Sequence, residues 1–463
     1  MGNGKSKGFA VIVLLTVAFS SLALSVTEVA FAQQSSPGWP MFRGNLSHSG
    51  MGTGTFVLTA KLLWKYTTGS AAKSNPTEYT HGGPVESSPA VVNGVVYVGC
   101  DDTSLYALNA ATGSQIWIAT ASSDPLISSP AVVDGVIYVG SSGQLVGIKD
   151  AVHVVAATST SNLYGSLVNS SPAVVNGTIY YGTYSGTVQA LNISRASFGG
   201  GAQFVWTYSV GKSVEVNSSP AVVNGVVYIG VEDTYVNQTS VEGVGAINAA
   251  NGVYALNATD GDQLWNFTDG GYSIDSSPAI INDVVYVGSY DGNVYALNAA
   301  NGAKLWNYST GAYVDSSPAV AKGVVYVSSH DGNFYALNAS EGAKLWSYPT
   351  GGGRSSPAVV DGVVYVGGGD SLYALNATSG AELWSYATGG EVESSPAVGN
   401  GAVYVGSDDG RIYAFGATPQ PSNTLLIVIG AVIALVIVAT IAFVVFRKRV
   451  KVKPLSLPAG EKT

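Results

Sequence analysis

The chain has 463 residues, with 29 Asp and Glu against 20 Lys and Arg and a formal net charge of −9. No basic stripe runs through its repeats, which excludes nucleic acid as a partner. A single cysteine, Cys100, excludes an intrachain disulfide framework and a cysteine-based zinc site; ending a Val-Val-Tyr-Val-Gly run, it reads as a buried thiol at a strand end.

Lys5 and Lys7 precede the apolar stretch 9–24, and Ala30-Phe31-Ala32 offers a small-residue cleavage site. This pattern predicts a signal peptide over residues 1–32. The propeller is expected over residues 38–417. Within it the tripeptide Ser-Ser-Pro opens the same sentence of about 40 residues eight times, at Ser87, Ser128, Ser170, Ser218, Ser276, Ser316, Ser355 and Ser394. The cleanest copy, 276–311, reads SSPAIINDVVYVGSYDGNVYALNAANGAKLWNYSTG.

Each copy parses into four strands. The first is Ser-Ser-Pro-Ala-Val-Val, closed by pairs such as Asn93-Gly94, Asp134-Gly135 and Asp361-Gly362. Such pairs favour positive φ at both centres, as a two-residue type I′ hairpin demands. The second strand is Val-Val-Tyr-Val-Gly, the third Tyr-Ala-Leu-Asn-Ala and the fourth Leu-Trp-x-Tyr. Four antiparallel strands of even spacing make one blade, so the fold class is all-β: an eight-bladed β-propeller. The eighth copy stops after its third strand, at residue 417, and a spare Leu62-Leu63-Trp64-Lys65-Tyr66 precedes the first copy. The N-terminal strand is therefore expected to complete the last blade and leave no open edge.

Two copies depart from the rest. The fourth carries an insert over residues 231–251, and the second replaces the Ala-Leu-Asn-Ala motif with Gly147-Ile-Lys-Asp-Ala-Val-His-Val-Val. These loops, and the connection 67–84, are candidate interaction sites or decayed repeats. Beyond the repeats lie a short stalk (418–423), an uncharged run of 23 residues (424–446) and a basic tail (447–463). A run of that length predicts a transmembrane helix, and the positive flank places the tail in the cytoplasm and the repeats outside, as a type I protein of the cell membrane. Eleven Asn-x-Ser/Thr sequons suit an extracellular glycoprotein; several recur with the repeat and serve turn geometry equally well.

The spacing Ala-Leu-Asn-Ala-x-x-Gly-x-x-x-Trp, found at 107–117, 255–265, 296–306, 336–346 and 374–384, resembles the tryptophan-docking motif of pyrroloquinoline-quinone (PQQ) type propeller repeats. The lead-in Trp39-Pro-Met-Phe-Arg-Gly-Asn-Leu-Ser-His-Ser-Gly50 also resembles that of secreted PQQ-like proteins. The resemblance implies that Trp64, Trp117, Trp206, Trp265, Trp306, Trp346 and Trp384 are structural, each indole packing between neighbouring blades. The family includes quinoprotein dehydrogenases that bind PQQ and Ca²⁺. It also includes non-catalytic scaffolds, among them the propeller of the bacterial outer-membrane assembly machine. The vicinal cysteine pair of many of the enzymes is absent here, as is a Cys-x-x-Cys-His haem motif, and no residues match the family's calcium or base positions. The four histidines, His48, His81, His153 and His330, lie far apart and read as turn or surface residues.

The residue before each Ser-Ser-Pro falls on one face of the disc, near its axis. Read round, this ring is Glu86, Ile127, Asn169, Asn217, Asp275, Asp315, Arg354 and Glu393. Its polar members are the candidate ligand-binding residues, able to hold a cation or a polar ligand; the alternative is solvated turns, with Arg354 paired between Asp315 and Glu393. No catalytic or metal residue is assigned. The expected function is a surface-anchored scaffold for a protein or glycan partner, with no cofactor of its own. The alternatives are a PQQ/Ca²⁺-dependent dehydrogenase and a carbohydrate- or cell-wall-binding adhesin.

Overall fold

The computed structural model describes residues 39–416, apart from the stretches 53–60, 70–81, 122–123, 142–143, 150–152, 160–167, 194–202, 212–213, 234–249 and 269, together with Thr440. The signal peptide, stalk, transmembrane run and tail expected from the sequence lie outside the described residues, as do His81 and most of the insert. Among the described residues no helix is long and apolar enough to cross a membrane.

Eight antiparallel sheets follow one another along the chain. The fifth blade shows the pattern: strands Ala279–Ile281, Val284–Gly288, Asn293–Asn298 and Lys304–Ser309 pair in sequence order. The eighth blade takes Ala397–Gly399, Ala402–Ser407 and Arg411–Gly416 from the C-terminal end of the repeats, and Leu62–Thr67 from the N-terminal end. The register Trp64↔Ala414 seats that strand where a repeat's own fourth strand would lie. The degenerate second blade still forms four strands, Gln144–Lys149 pairing with His153–Ser159 in place of the Ala-Leu-Asn-Ala hairpin. In the fourth blade the second strand runs on to Asp233 and pairs there with an extra strand, Val214–Glu215.

Positive φ at both turn residues, 50° and 76° at Asn93 and Gly94, gives the first hairpin the type I′ twist. The innermost strand is shorter than the sequence suggests, only Ala-Val-Val or its equivalent. Ser-Ser-Pro stands outside it because its polar groups bond to the next blade. Each second serine donates its N–H to the Oγ of the second serine one blade on. These bonds run Ser88 to Ser129, Ser171, Ser219, Ser277, Ser317, Ser356 and Ser395, and Ser395 closes the circle on Ser88 at 3.0 Å. Each first serine also ties its own blade together: Gly288 N–H donates to Ser276 Oγ at 3.0 Å, and the same bond recurs in all eight blades.

On the rim, tryptophans staple blade to blade. Trp265 Nε1 donates to the Ala299 carbonyl at 2.9 Å, and Trp64, Trp206, Trp306 and Trp346 make the equivalent bond. A Cβ at Gly302, where φ is +71°, would stand 2.6 Å from the Trp265 ring, so only glycine fits. A bulge between Ala296 and Leu297 aims Trp306 inward and leaves Leu305 about half exposed at 51%. Trp117 faces the degenerate second blade, which lacks the docking motif, and packs on Tyr97 at 5.9 Å.

The lead-in crosses the far end of the central channel. Its backbone bonds to the innermost strands of six blades, at Val91, Val132, Val222, Ile280, Val320 and Val359. Arg43, 2% exposed, reaches the carbonyls of Pro318 and Pro357, which the ring geometry would otherwise leave unpaired. Burial lowers the guanidinium to about 9. His48 is also 2% exposed; burial, and then Arg43, push it down to about 3, so the imidazole is neutral. This corrects the surface part of its expected role: His48 closes a turn, its N–H donating to the Asn45 carbonyl at 3.0 Å, but its ring is buried against Phe42 at 5.5 Å.

Candidate functional site

The residue before each Ser-Ser-Pro sits where the fourth strand of one blade hands over to the first strand of the next. The structure brings Glu86, Ile127, Asn217, Asp275, Asp315, Arg354 and Glu393 onto one funnel on the axis. The second serines form its throat and Phe42 of the lead-in lines its floor, so the funnel is blind. Asn169 lines an adjoining cavity of about 230 Å³, which shares Glu86, Ile127, Asn217, Asp275 and Arg354 with the funnel. That cavity brings in Tyr184, Glu215, Glu232 and Tyr290, which the sequence reading did not single out.

Those residues obey the same ruler. Fourteen positions after each first serine stand Asp101, Ser142, Tyr184, Glu232, Tyr290, His330, Gly369 and Asp408, of which Ser142 lies outside the described residues. Their backbone is tied to the mouth: Tyr290 N–H donates to the Ser273 carbonyl, His330 to Tyr313, and Asp408 to Glu391. A second ring therefore surrounds the first. Counting on from Ser-Ser-Pro past the second strand would have found it.

The mouth has three sectors. On the sixth and seventh blades, Asp315 has a side chain only 1% exposed; it accepts from His330 Nε2 at 3.0 Å and from Arg354 Nε at 3.3 Å. Of the two partners expected for Arg354, Asp315 and Glu393, Asp315 is the one within bonding distance among the described residues. His330 stacks on Tyr313 at 3.9 Å, and Tyr313 on Tyr290 at 5.1 Å, forming an aromatic wall. Burial alone would lower the Arg354 guanidinium, but Asp275 and Asp315 outweigh it and the net shift is upward.

The other two sectors are acidic. At the fourth and fifth blades, Asn217 Nδ2 donates to both Glu215 and Glu232, which face each other across paired strands. Burial, then the field of Asp275, holds Glu232 well above the usual carboxylate range. Asp275 itself is raised to about 6, by burial more than by any neighbour. At the eighth and first blades, burial raises Asp101 and Asp408 to about 7, with Glu86 adding to both and Glu393 to Asp408. Glu86 and Glu393 are raised as well, again chiefly by burial. The carboxylates stay apart: among the described residues no three His, Cys, Asp or Glu side chains converge closely enough to hold a metal ion. The buried Oδ1 atoms of Asp101, Asn217 and Asp408 have no hydrogen-bond partner. All three are acceptors, so these stretches of the rim lack donors.

Comparison with known proteins places this geometry. The family model described as outer membrane protein assembly factor BamB matches residues 26–242, 249–354 and 349–418. No curated protein matches the chain. Among solved structures, BamB from Moraxella catarrhalis is 20% identical with a TM-score of 0.58, over 72% of this chain and 96% of that one. The quinohemoprotein alcohol dehydrogenase from Comamonas testosteroni is 15% identical with a TM-score of 0.65, over 83% and 81% of the two chains. A europium-containing methanol dehydrogenase is 14% identical with a TM-score of 0.63, over 82% and 98%. At these identities the likeness is one of fold alone. The family match spans most of the repeats and agrees with the eight-bladed ring: the chain belongs to the PQQ-repeat propeller family whose model is described as outer membrane protein assembly factor BamB.

Proposed function

We propose that the protein is a membrane-anchored scaffold of the cell surface that binds a polar or cationic partner in the mouth of its propeller and performs no reaction of its own. The observation carrying this reading is the blind funnel, in which an invariant serine throat supports a rim of differing, mostly acidic residues. A rigid ring that varies only at its mouth is suited to recognition. The leader-like N-terminus, the apolar run 424–446 and the basic tail support the surface location. Membership of a family described as an outer membrane protein assembly factor supports binding over chemistry.

The likeness to quinoprotein dehydrogenases favours a second reading, a PQQ- and Ca²⁺-dependent oxidoreductase. The residues present do not suit that cofactor. PQQ is a tricarboxylate and calls for donors and cations. The rim instead offers carboxylates and orphaned acceptors, which repel a tricarboxylate, and its one cation among the described residues, Arg354, is already paired with Asp315. The test is to incubate the full chain with PQQ and Ca²⁺, then measure bound quinone absorbance and dye-linked oxidation of alcohols and sugars. The scaffold reading expects neither; stoichiometric quinone with turnover would overturn it.

A further inference from the structure

The throat holds a second, independent set of polar groups. The eight second serines are all at least nine-tenths buried, between 3% and 7% exposed. All of them line the funnel. Each Oγ accepts one N–H from the preceding blade, as the bond of Ser277 N–H to Ser317 Oγ at 3.0 Å shows. A hydroxyl carries one donor and two acceptor sites. Among the described residues no acceptor receives the serine protons, so the collar offers a ring of O–H donors to the axis. Just above it the rim offers carboxylate acceptors, with Arg354 neutralised by Asp315.

A ligand filling this funnel must accept hydrogen bonds at depth and donate them at the rim. Hydroxyl groups do both; a metal ion or a simple polyamine cannot. The net negative rim favours a positive charge on the same molecule. Tyr290 lines the side cavity and, backed by Tyr313, supplies a flat apolar wall for ring C–H groups. The axial space is about 150 Å³ and shares Glu86, Ile127, Asn217, Asp275 and Arg354 with the adjoining cavity of about 230 Å³.

We propose that the funnel binds an amino sugar, a single polyhydroxylated ring with a protonated amine directed at the acidic rim and its hydroxyl oxygens received by the serine collar. This rests on the scaffold reading and adds the ligand class to it. The experiment is calorimetric titration of the full chain at pH 8 with glucosamine, N-acetylglucosamine, glucose and spermidine. Glucosamine is expected to bind, and N-acetylation or loss of the amine to weaken it about tenfold or more, the worth of a charge-assisted hydrogen bond. In Asp275→Asn, a nearly isosteric change, the preference of glucosamine over glucose is expected to shrink. A deacetylated oligomer compared with the monosaccharide distinguishes a chain end from a free sugar. Equal binding of spermidine would overturn the role of the collar, and equal binding of glucose the role of the rim. Absence of any sugar binding would overturn the inference as a whole. Since the ligand series uses the unmodified protein, the result does not depend on whether a variant folds. Since quinone uptake is measured separately, failure here leaves the scaffold reading standing.

Discussion

The serine collar and the rim above it are one residue apart in sequence and behave as opposites. At the collar all eight blades carry the same side chain, and all eight make the same inter-blade bond. At the rim, neighbouring blades present Glu86, Ile127, Asn169 and Asn217 in succession. The difference has a physical origin. The collar bonds only to copies of itself, so a change in one blade orphans a group in the next. A rim side chain projects into the funnel and owes nothing to symmetry. Architecture and chemistry are thus separated only by the first serine of each motif, two peptide bonds, and the separation can be broken experimentally.

The largest effect is expected away from the mouth, in the staples that hold the ring. Trp265→Ala removes an 8% exposed indole and its bond to Ala299 and should cost about 3–5 kcal/mol in urea unfolding. Within the collar, Ser277→Ala deletes the acceptor of the Ser219 N–H and should cost about 1–3 kcal/mol, the usual penalty of an orphaned buried donor. At the rim the sign changes. Asp101, Asp275 and Asp408 are raised to between about 6 and 7 in the folded protein, above the carboxylate range of an unfolded chain. The folded state therefore holds protons that the unfolded state has released, and the stability they contribute is full below about pH 4. It is lost as pH rises through 6 to 7. Melting temperatures taken from pH 5 to pH 8 should fall across that window, and Asp275→Asn should reduce the fall. A rim that stabilised the ring would give the opposite slope.

Much of the ring was legible because it is repeated. Asn93-Gly94 and its counterparts specify their hairpins locally, and the truncated eighth copy with its spare Leu62–Thr67 strand announces the closure. The rim was legible once Ser-Ser-Pro was used as a ruler. The second ring of Glu232, Tyr290, His330 and Asp408 lay on the same ruler, fourteen places on, but looks like ordinary turn sequence. Partners set by the fold were not legible at all. Nothing in the order of residues tells that Arg43 reaches Pro357, 314 positions away, or which of the two carboxylates expected beside Arg354 bonds to it. The collar is an intermediate case: the motif was plain, but its meaning depends on the next blade.

Separability of ring and rim is the central claim, and one pairing of measurements tests it most directly. The double variant Asp275→Asn, Glu393→Gln neutralises two rim carboxylates while leaving every collar bond in place. Titration of glucosamine into the variant and into the unmodified chain at pH 8, with both melting temperatures, should show binding weakened at least about tenfold and a melting temperature unchanged or raised. Binding retained at full strength, or lost only together with the fold, would contradict the assignment of recognition to the rim.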